Sequence, residues 1–451
     1  MKCSILAKIF ALVLMVCFIT ACAGEGVALL PFISQFSTEL DFEGMTFRIR
    51  NHGVELDYLA PGTVPTARQE LLFERFDEMQ TKYNCTIVHS AGDPADYATF
   101  YLSGIPEADI VYGQIKYLYQ MYSSGYFLNV YDIPNLDLSD GRFGSPEFIE
   151  TFTLNGELIG IFPQHWGYSQ IGFSNAMYYN PEIFKDLAHP NPNELYEQGQ
   201  WNWAALESIG NACLGASTAE DPLYMSLFDQ YFTRMIVLSN GCEYIKIDDN
   251  GKYRYALNDP RVTEALQFTH DISKTGCLYP SDLSSTANMD NFVNGLFAIF
   301  NGYSGGAFAV FNYQMNGGVG HCYLPDGPNA TDNTKGVLSI ENGLWCVTRE
   351  KEDSVDELGN FLMELFAPLD EVAGDWKETF KSENFFDDLS AEVYMTMCEN
   401  VYFDRVLFAY TDATLFDVLD EAARTGSITE NIQSIESVVN QRLDESINAW
   451  D

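Results

Sequence analysis

Between residues 45 and 124, strand and helix signals alternate three times, and that alternation restricts the fold more than any other feature. Met45 to Arg50 (MTFRIR) alternates apolar and polar side chains at period two, the pattern of a strand. Residues 67–83 then place Leu72, Phe76, Met79 and Tyr83 on one helical face. Cys85 to His89 reads as a second strand and Ala95 to Leu102 as a second helix. Ala108 to Tyr112 (ADIVY) reads as a short buried strand, with a third helix near 115–124. This order implies right-handed βαβ units and a parallel sheet. Ligands in such sheets sit beyond the carboxyl ends of the strands, so the loops after Arg50 and Tyr112 are candidate ligand loops. A chain of 451 residues has room for two or three domains at roughly 150 residues each.

Charge narrows the partners. There are 24 Lys+Arg against 64 Asp+Glu, a net charge of −40, yet 47% of residues are hydrophobic, so this is a globular chain and not a disordered acidic one. Phosphate binding needs clustered Lys and Arg, which excludes nucleic acid as a partner. The same balance argues against docking on anionic lipid through a basic patch.

At the N-terminus, Lys2 and Lys8 precede a 12-residue apolar run, Ile9 to Thr20. A spanning helix needs roughly 20 such residues, so the run reads as the apolar part of a signal peptide covering residues 1–21. It ends in Ile19-Thr20-Ala21-Cys22, which resembles the bacterial lipobox and implies acylation of Cys22. Two or more acyl chains anchor stably where one is marginal. The expectation is a body outside the cytoplasmic membrane, lipid-anchored through Cys22 and a tether over 22–39. The other reading is an ordinary signal peptide in which Cys22 is incidental.

Seven further cysteines remain: Cys85, Cys213, Cys242, Cys277, Cys322, Cys346 and Cys398. No CxxC occurs and no His stands at ligand spacing to them, so no metal site is expected. Their apolar neighbours suggest buried thiols. Asn155-Gly156 and Asn250-Gly251 mark hairpins. The second lies in Asp248-Asp249-Asn250-Gly251, which superficially resembles a calcium loop but lacks the bidentate Glu six residues past the glycine. Asn180-Pro181 and Asp259-Pro260 read as helix starts, and Ser354 to Glu357 as a capping box. The tail reads as helices over 413–424 and 429–448 around Gly426.

From about residue 45 to the end, seven local patterns recur in one order. They are Ser103-Gly104 leading to Asp109-Ile110, Gly125 to Leu128, Asn155 to Pro163, Tyr179 to Phe184, Gly199 to Trp203, Gly295 to Ile299, and Leu324 to Asn329. This order resembles the family 1 extracellular solute-binding proteins of ABC transporters, the family of maltose-binding protein. The resemblance implies an α/β, two-lobed periplasmic-binding-protein fold (type II), each lobe a mostly parallel sheet flanked by helices. A hinge that the chain crosses several times joins the lobes. The N-terminal lobe would span 40–164 plus 325–370, and the C-terminal lobe 165–322 plus 371–451. It implies a monomer that takes up a carbohydrate between the lobes and delivers it to permease subunits, with no catalysis and no cofactor.

Positions matching the family's ligand loops are His52 and Glu55 after the first strand and Gln114 after the third. His165, Trp166 and Tyr168 follow Pro163 at the hinge, Asn301 and Tyr303 follow the strand near 295–300, and Asp412 precedes the 413–424 helix. Aromatic faces and short polar side chains suit sugar rings and their hydroxyls. The family often has a Trp where Tyr303-Ser304 stands here. Glu55 and Asp412 also read as solvated carboxylates, His165 as a backbone cap, Trp201 and Trp203 as packing, and Trp345 as core; Trp376 is left open. Three alternatives stay open beside the sugar reading: a polyamine or other small solute in the same fold, a surface-anchored glycoside-active enzyme working through two carboxylates, and an adhesion module.

Overall fold

The computed structural model describes residues 40–51, 67–92, 94–105, 107–139, 142–154, 156–163, 175–280, 285–301, 311, 314–315, 318–338, 343–367, 381, 385, 387–405 and 414–449. Along the chain the elements begin with β1 (Thr46–Asn51), α1 (Ala67–Tyr83), β2 (Thr86–Ala91), α2 (Pro94–Ser103), β3 (Ile110–Gln114) and α3 (Ile115–Ser123). Next are α4 (Pro146–Phe152), the hairpin β4–β5 (Thr153–Leu154, Glu157–Leu158), β6 (Met177–Tyr179), α5 (Pro181–Asp186) and α6 (Pro192–Glu197). Then α7 (Trp203–Ala216), β7 (Ser226–Phe228), α8 (Gln230–Ser239), the hairpin β8–β9 (Ile245–Ile247, Tyr253–Tyr255) and α9 (Pro260–Lys274). They continue with β10 (Leu278–Pro280), α10 (Ser285–Val293), β11 (Ile299–Asn301), β12 (Gly320–Cys322), β13 (Gly336–Leu338) and β14 (Gly343–Val347). The last are α11 (Val355–Leu365), α12 (Asp388–Glu399), β15 (Val401–Phe403), α13 (Thr414–Thr425) and α14 (Ile428–Glu445).

The alternation at the N-terminal end folds as its periodicity requires. β1 pairs in parallel with β2 and β3, and β14 closes the edge antiparallel, in the order β14-β3-β1-β2. Leu72, Phe76, Met79 and Tyr83 are all buried, which docks α1 on this sheet by its apolar stripe. α11 returns to the same layer, where Phe361 stacks on Phe47 at 3.8 Å between ring centroids.

A second layer forms from β6 to β12. β7 pairs with β10 in parallel, while β11 and β12 flank β6 antiparallel. Backbone bonds from Ala298 to Tyr224 and from Ile299 to Met225 set the β7 segment beside β11. α9 buries Val262, Ala265, Leu266 and Ile272, and Gly276 at φ 85° supplies the left-handed residue that lets the chain leave it. The short parallel pair β13–β15 forms a separate sheet. Phe403 of β15 packs edge-on against Phe148 and Phe152 of α4 and against Phe162, at 5.1–5.5 Å.

Local expectations hold where the geometry is local. Asn180 and Asp259 accept backbone N–H groups at the starts of α5 and α9. β8–β9 is a hairpin, and Asp248 spends its carboxylate on the backbone N–H groups of Asn250 and Lys252 and on Arg254. Ser354 does not cap α11. It belongs to a preceding 3-10 turn, Arg349–Ser354, and its backbone is not extended, so its side chain makes no cap bond. Trp201 and Trp203 are buried and donate to the Tyr323 carbonyl and the Ser239 hydroxyl, which makes them packing residues. The seven cysteines are thiols, six of them buried; burial pushes the Cys213 thiol up to about 12, so it is inert at ordinary pH.

Candidate functional site

Two strand-end edges bring polar and aromatic groups together. In the first sheet, β1 and β3 run the same way and end at Asn51 and Gln114, while β14 starts at Gly343 opposite Gln114. Gln114 is half-buried and stands at the start of α3 without making a cap bond. Beside it, Tyr112 and Trp345 face each other across the ladder with ring centroids 4.9 Å apart. The Tyr112 ring lies over Gly343 so closely that a Cβ there would come within 2.0 Å of it. Trp345 is buried against Phe366 and is core, whereas Tyr112 keeps partial exposure at the edge.

In the second layer, β7, β10 and β11 bring Phe228, Pro280 and Asn301 to one edge. Asn301 is buried. Its amide oxygen accepts from the Ser226 hydroxyl at 2.9 Å, and its amide nitrogen donates to the Leu227 carbonyl at 3.3 Å. Asp229 follows β7 and caps α8 by accepting the Phe232 N–H at 2.9 Å. Arg424 of α13 pairs with Asp420 at 2.6 Å, donates to the Phe228 carbonyl, and lies over the Phe228 ring.

Desolvation pushes the Asp229 carboxyl up to about 6, against hydrogen bonding from Phe232 and Asn301, with Asp420 adding repulsion. The folded state therefore holds this proton more tightly than the unfolded chain does. The group's contribution to stability grows as pH falls from about 6 toward 3.8, and above pH 6 the buried charge is a standing cost. Asp229→Asn keeps a capping side chain. It is expected to raise the melting temperature at pH 7 and to lose that advantage at pH 4, as read from paired melts of variant and parent. Equal advantage at both pH values would contradict the assignment.

Of the residues singled out from sequence, Gln114 and Asn301 are thus placed, one on each edge. His52, Glu55, His165, Trp166, Tyr168, Tyr303 and Asp412 lie outside the described residues, as do Cys22 and Trp376. Sequence reading missed Tyr112 and Asp229. The signal for each was position, since one precedes a strand end and the other directly follows one.

Comparison with known proteins decides the family. A family profile described as bacterial extracellular solute-binding protein matches residues 73–356, more than half of the chain. The chain belongs to this family. No sequence match is found among curated proteins. Among solved structures, this solute-binding protein is similar over 89% of its length, and 98% of the other chain, to the sugar-binding protein MalE from Xanthomonas citri, at TM-score 0.62 and 15% identity. It is also similar to the cyclic alpha-maltosyl-1,6-maltose binding protein from Arthrobacter globiformis, over 89% of this chain and 100% of that one, at TM-score 0.61 and 14% identity. A third is the ABC substrate-binding protein Lmo0181 from Listeria monocytogenes, solved with cycloalternan, at TM-score 0.57 and 15% identity over 88% and 98% of the chains. At these identities the likeness shows the fold. The solute-binding protein is a two-lobed α/β molecule of periplasmic-binding-protein type II.

Proposed function

We propose that this protein captures a carbohydrate in the cleft between its two lobes by closing about the hinge, and delivers it to an ABC import permease. The observation that carries this is near-complete coverage, at TM-scores of 0.57–0.62, of three binding proteins, two named for the sugars they bind and the third solved with cycloalternan. The two strand-end edges supply support, with amide, hydroxyl and aromatic groups of the kinds that match sugar hydroxyls and ring faces. Pockets favour such domain interfaces, and closure buries what enters them.

In this reading the cleft is formed by His52, Glu55, Gln114, His165, Trp166, Tyr168, Asn301, Tyr303 and Asp412. The lobes are 40–164 plus 325–370 and 165–322 plus 371–451. The protein acts as a monomer without catalysis or cofactor, held to the membrane by acyl chains on Cys22. The family is one of binding proteins, which supports capture over hydrolysis.

A thermal-shift panel of mono- and oligosaccharides against polyamines tests the reading. A matching sugar at 100 times its dissociation constant is expected to add about 2.7 kcal/mol. Trp166→Ala is expected to weaken that sugar about tenfold, the scale of a lost aromatic contact of about 1.4 kcal/mol. Stabilisation by a polyamine, and by no sugar, would overturn the carbohydrate assignment.

A further inference from the structure

A cavity of about 290 Å³ lies away from both strand-end edges. Its walls are the carboxyl end of α8 with the Gly241–Glu243 turn, Arg261 in the first turn of α9, the 331–337 segment, and Tyr402 of β15. Gln114, Asp229 and Asn301 take no part in it. Asp229 caps the opposite end of α8, about 15 Å away along a ten-residue helix. The cavity is therefore distinct from the strand-end edges.

Its charges balance: Glu243 and Asp332 against Arg261 and Lys335. Arg261 is committed to Asp259 at 2.7 Å and to the Gly241 carbonyl at 2.8 Å. Glu243 Oε1 accepts from Arg405 and from the Tyr402 hydroxyl, and Asp332 Oδ1 accepts from Thr334. Asp332 also takes a side-chain hydrogen bond from Asn400, while Glu243 keeps its second oxygen without a bond among the described residues. The Lys335 ammonium forms no ion pair there either, although its charge is felt by Asp332 and Glu147. Asn175 bonds the Lys335 carbonyl and the Val337 N–H, so the wall that carries this lysine is fixed. An anion in this cavity would meet two carboxylates, and a cation would meet two bases. A molecule carrying both charges finds a partner for each, Lys335 for one and Glu243 and Asp332 for the other.

We propose that this cavity binds a small zwitterion of the α-amino acid class, its carboxylate toward Lys335 and its ammonium toward Glu243 and Asp332. The cavity's volume accommodates a molecule of that size. Through β15 the cavity adjoins the aromatic cluster of α4. Val337 and Tyr402 line it from the paired strands β13 and β15, and Phe403, on the other face of β15, is wedged among Phe148, Phe152 and Phe162. A bound zwitterion would bias the packing of these strands, and any effect on cleft affinity would be reciprocal. The site goes beyond the carbohydrate reading and does not depend on it.

The test is calorimetric titration of the full soluble chain with glycine, L-serine, L-glutamine and L-glutamate, repeated on Lys335→Met and Glu243→Gln. Melts without ligand establish that each variant is folded. At least one amino acid is expected to bind, with binding lost in Lys335→Met and weakened about tenfold in Glu243→Gln. Absence of binding by all four overturns the proposal. So does binding that persists in Lys335→Met, which would put the amino acid elsewhere. Saccharide binding measured on the same variants is expected to be unchanged, so this proposal and the cleft assignment fail separately.

Discussion

Glu364→Ala is expected to lower stability by about 3–5 kcal/mol, the scale of breaking a buried charge cluster by removing one partner. Glu364 ends α11 at 1% exposure and accepts the Tyr83 hydroxyl at 2.5 Å. Two buried arginines crowd the same helix end. Arg142 donates to the Met363 carbonyl at 2.7 Å, and Arg75 donates to the carbonyls of Leu365 and Ala367. They satisfy carbonyls that the helix leaves unpaired and stand at the negative end of its dipole. Burial pushes the Arg75 guanidinium down to about 10; the Glu364 charge opposes that shift and Arg142 adds to it. Arg75 titrates only above about 10, so its burial cost persists at every ordinary pH. Without Glu364, the buried Arg75 guanidinium would keep only the weaker field of Glu78 against the charge of Arg142. Urea unfolding measures the loss, and Tyr83→Phe, which removes only the hydroxyl, should cost less than half as much. A loss under about 1 kcal/mol would mean the cluster relaxes into water.

Gly359→Ala is expected to destabilise by about 2–3 kcal/mol, although alanine is the better helix former by about 1 kcal/mol. Gly359 sits inside α11, and a Cβ there would come within 2.0 Å of the Pro134 carbonyl oxygen and 3.3 Å of Ile133. The near neighbour is backbone, so no side-chain rotation relieves the clash. The helix can survive only by lifting off the segment around Pro134. The sign of the change is the test: an alanine variant as stable as the parent would show that this contact has slack.

The first sheet was legible because its strands are five or six residues long and its helices carry clear apolar stripes. α1 falls on the expected 67–83. The third strand shifted from 108–112 to Ile110–Gln114 for a physical reason. At Asp109 the carboxylate takes the Arg48 N–H at 2.7 Å in place of a backbone carbonyl, although its own N–H still donates to the Arg48 carbonyl, an interaction 61 residues distant that periodicity cannot register. The second layer was harder to read. Its strands have three residues each, too few for a period to be measured. The polar network at its edge joins Ser226, Asp229, Asn301, Asp420 and Arg424 from segments far apart in the chain. Composition and spacing carry no trace of such a network. Family order supplied the rest, placing Gln114 and Asn301 at strand ends without saying what their amides would bond.

Capture of a sugar requires the lobes to close around it, and small-angle scattering across a saccharide panel tests that most directly. The predicted result is a fall in radius of gyration with at least one mono- or oligosaccharide, saturating with added ligand and absent with polyamines. An unchanged radius with every saccharide, or a contraction produced by polyamines alone, would contradict it.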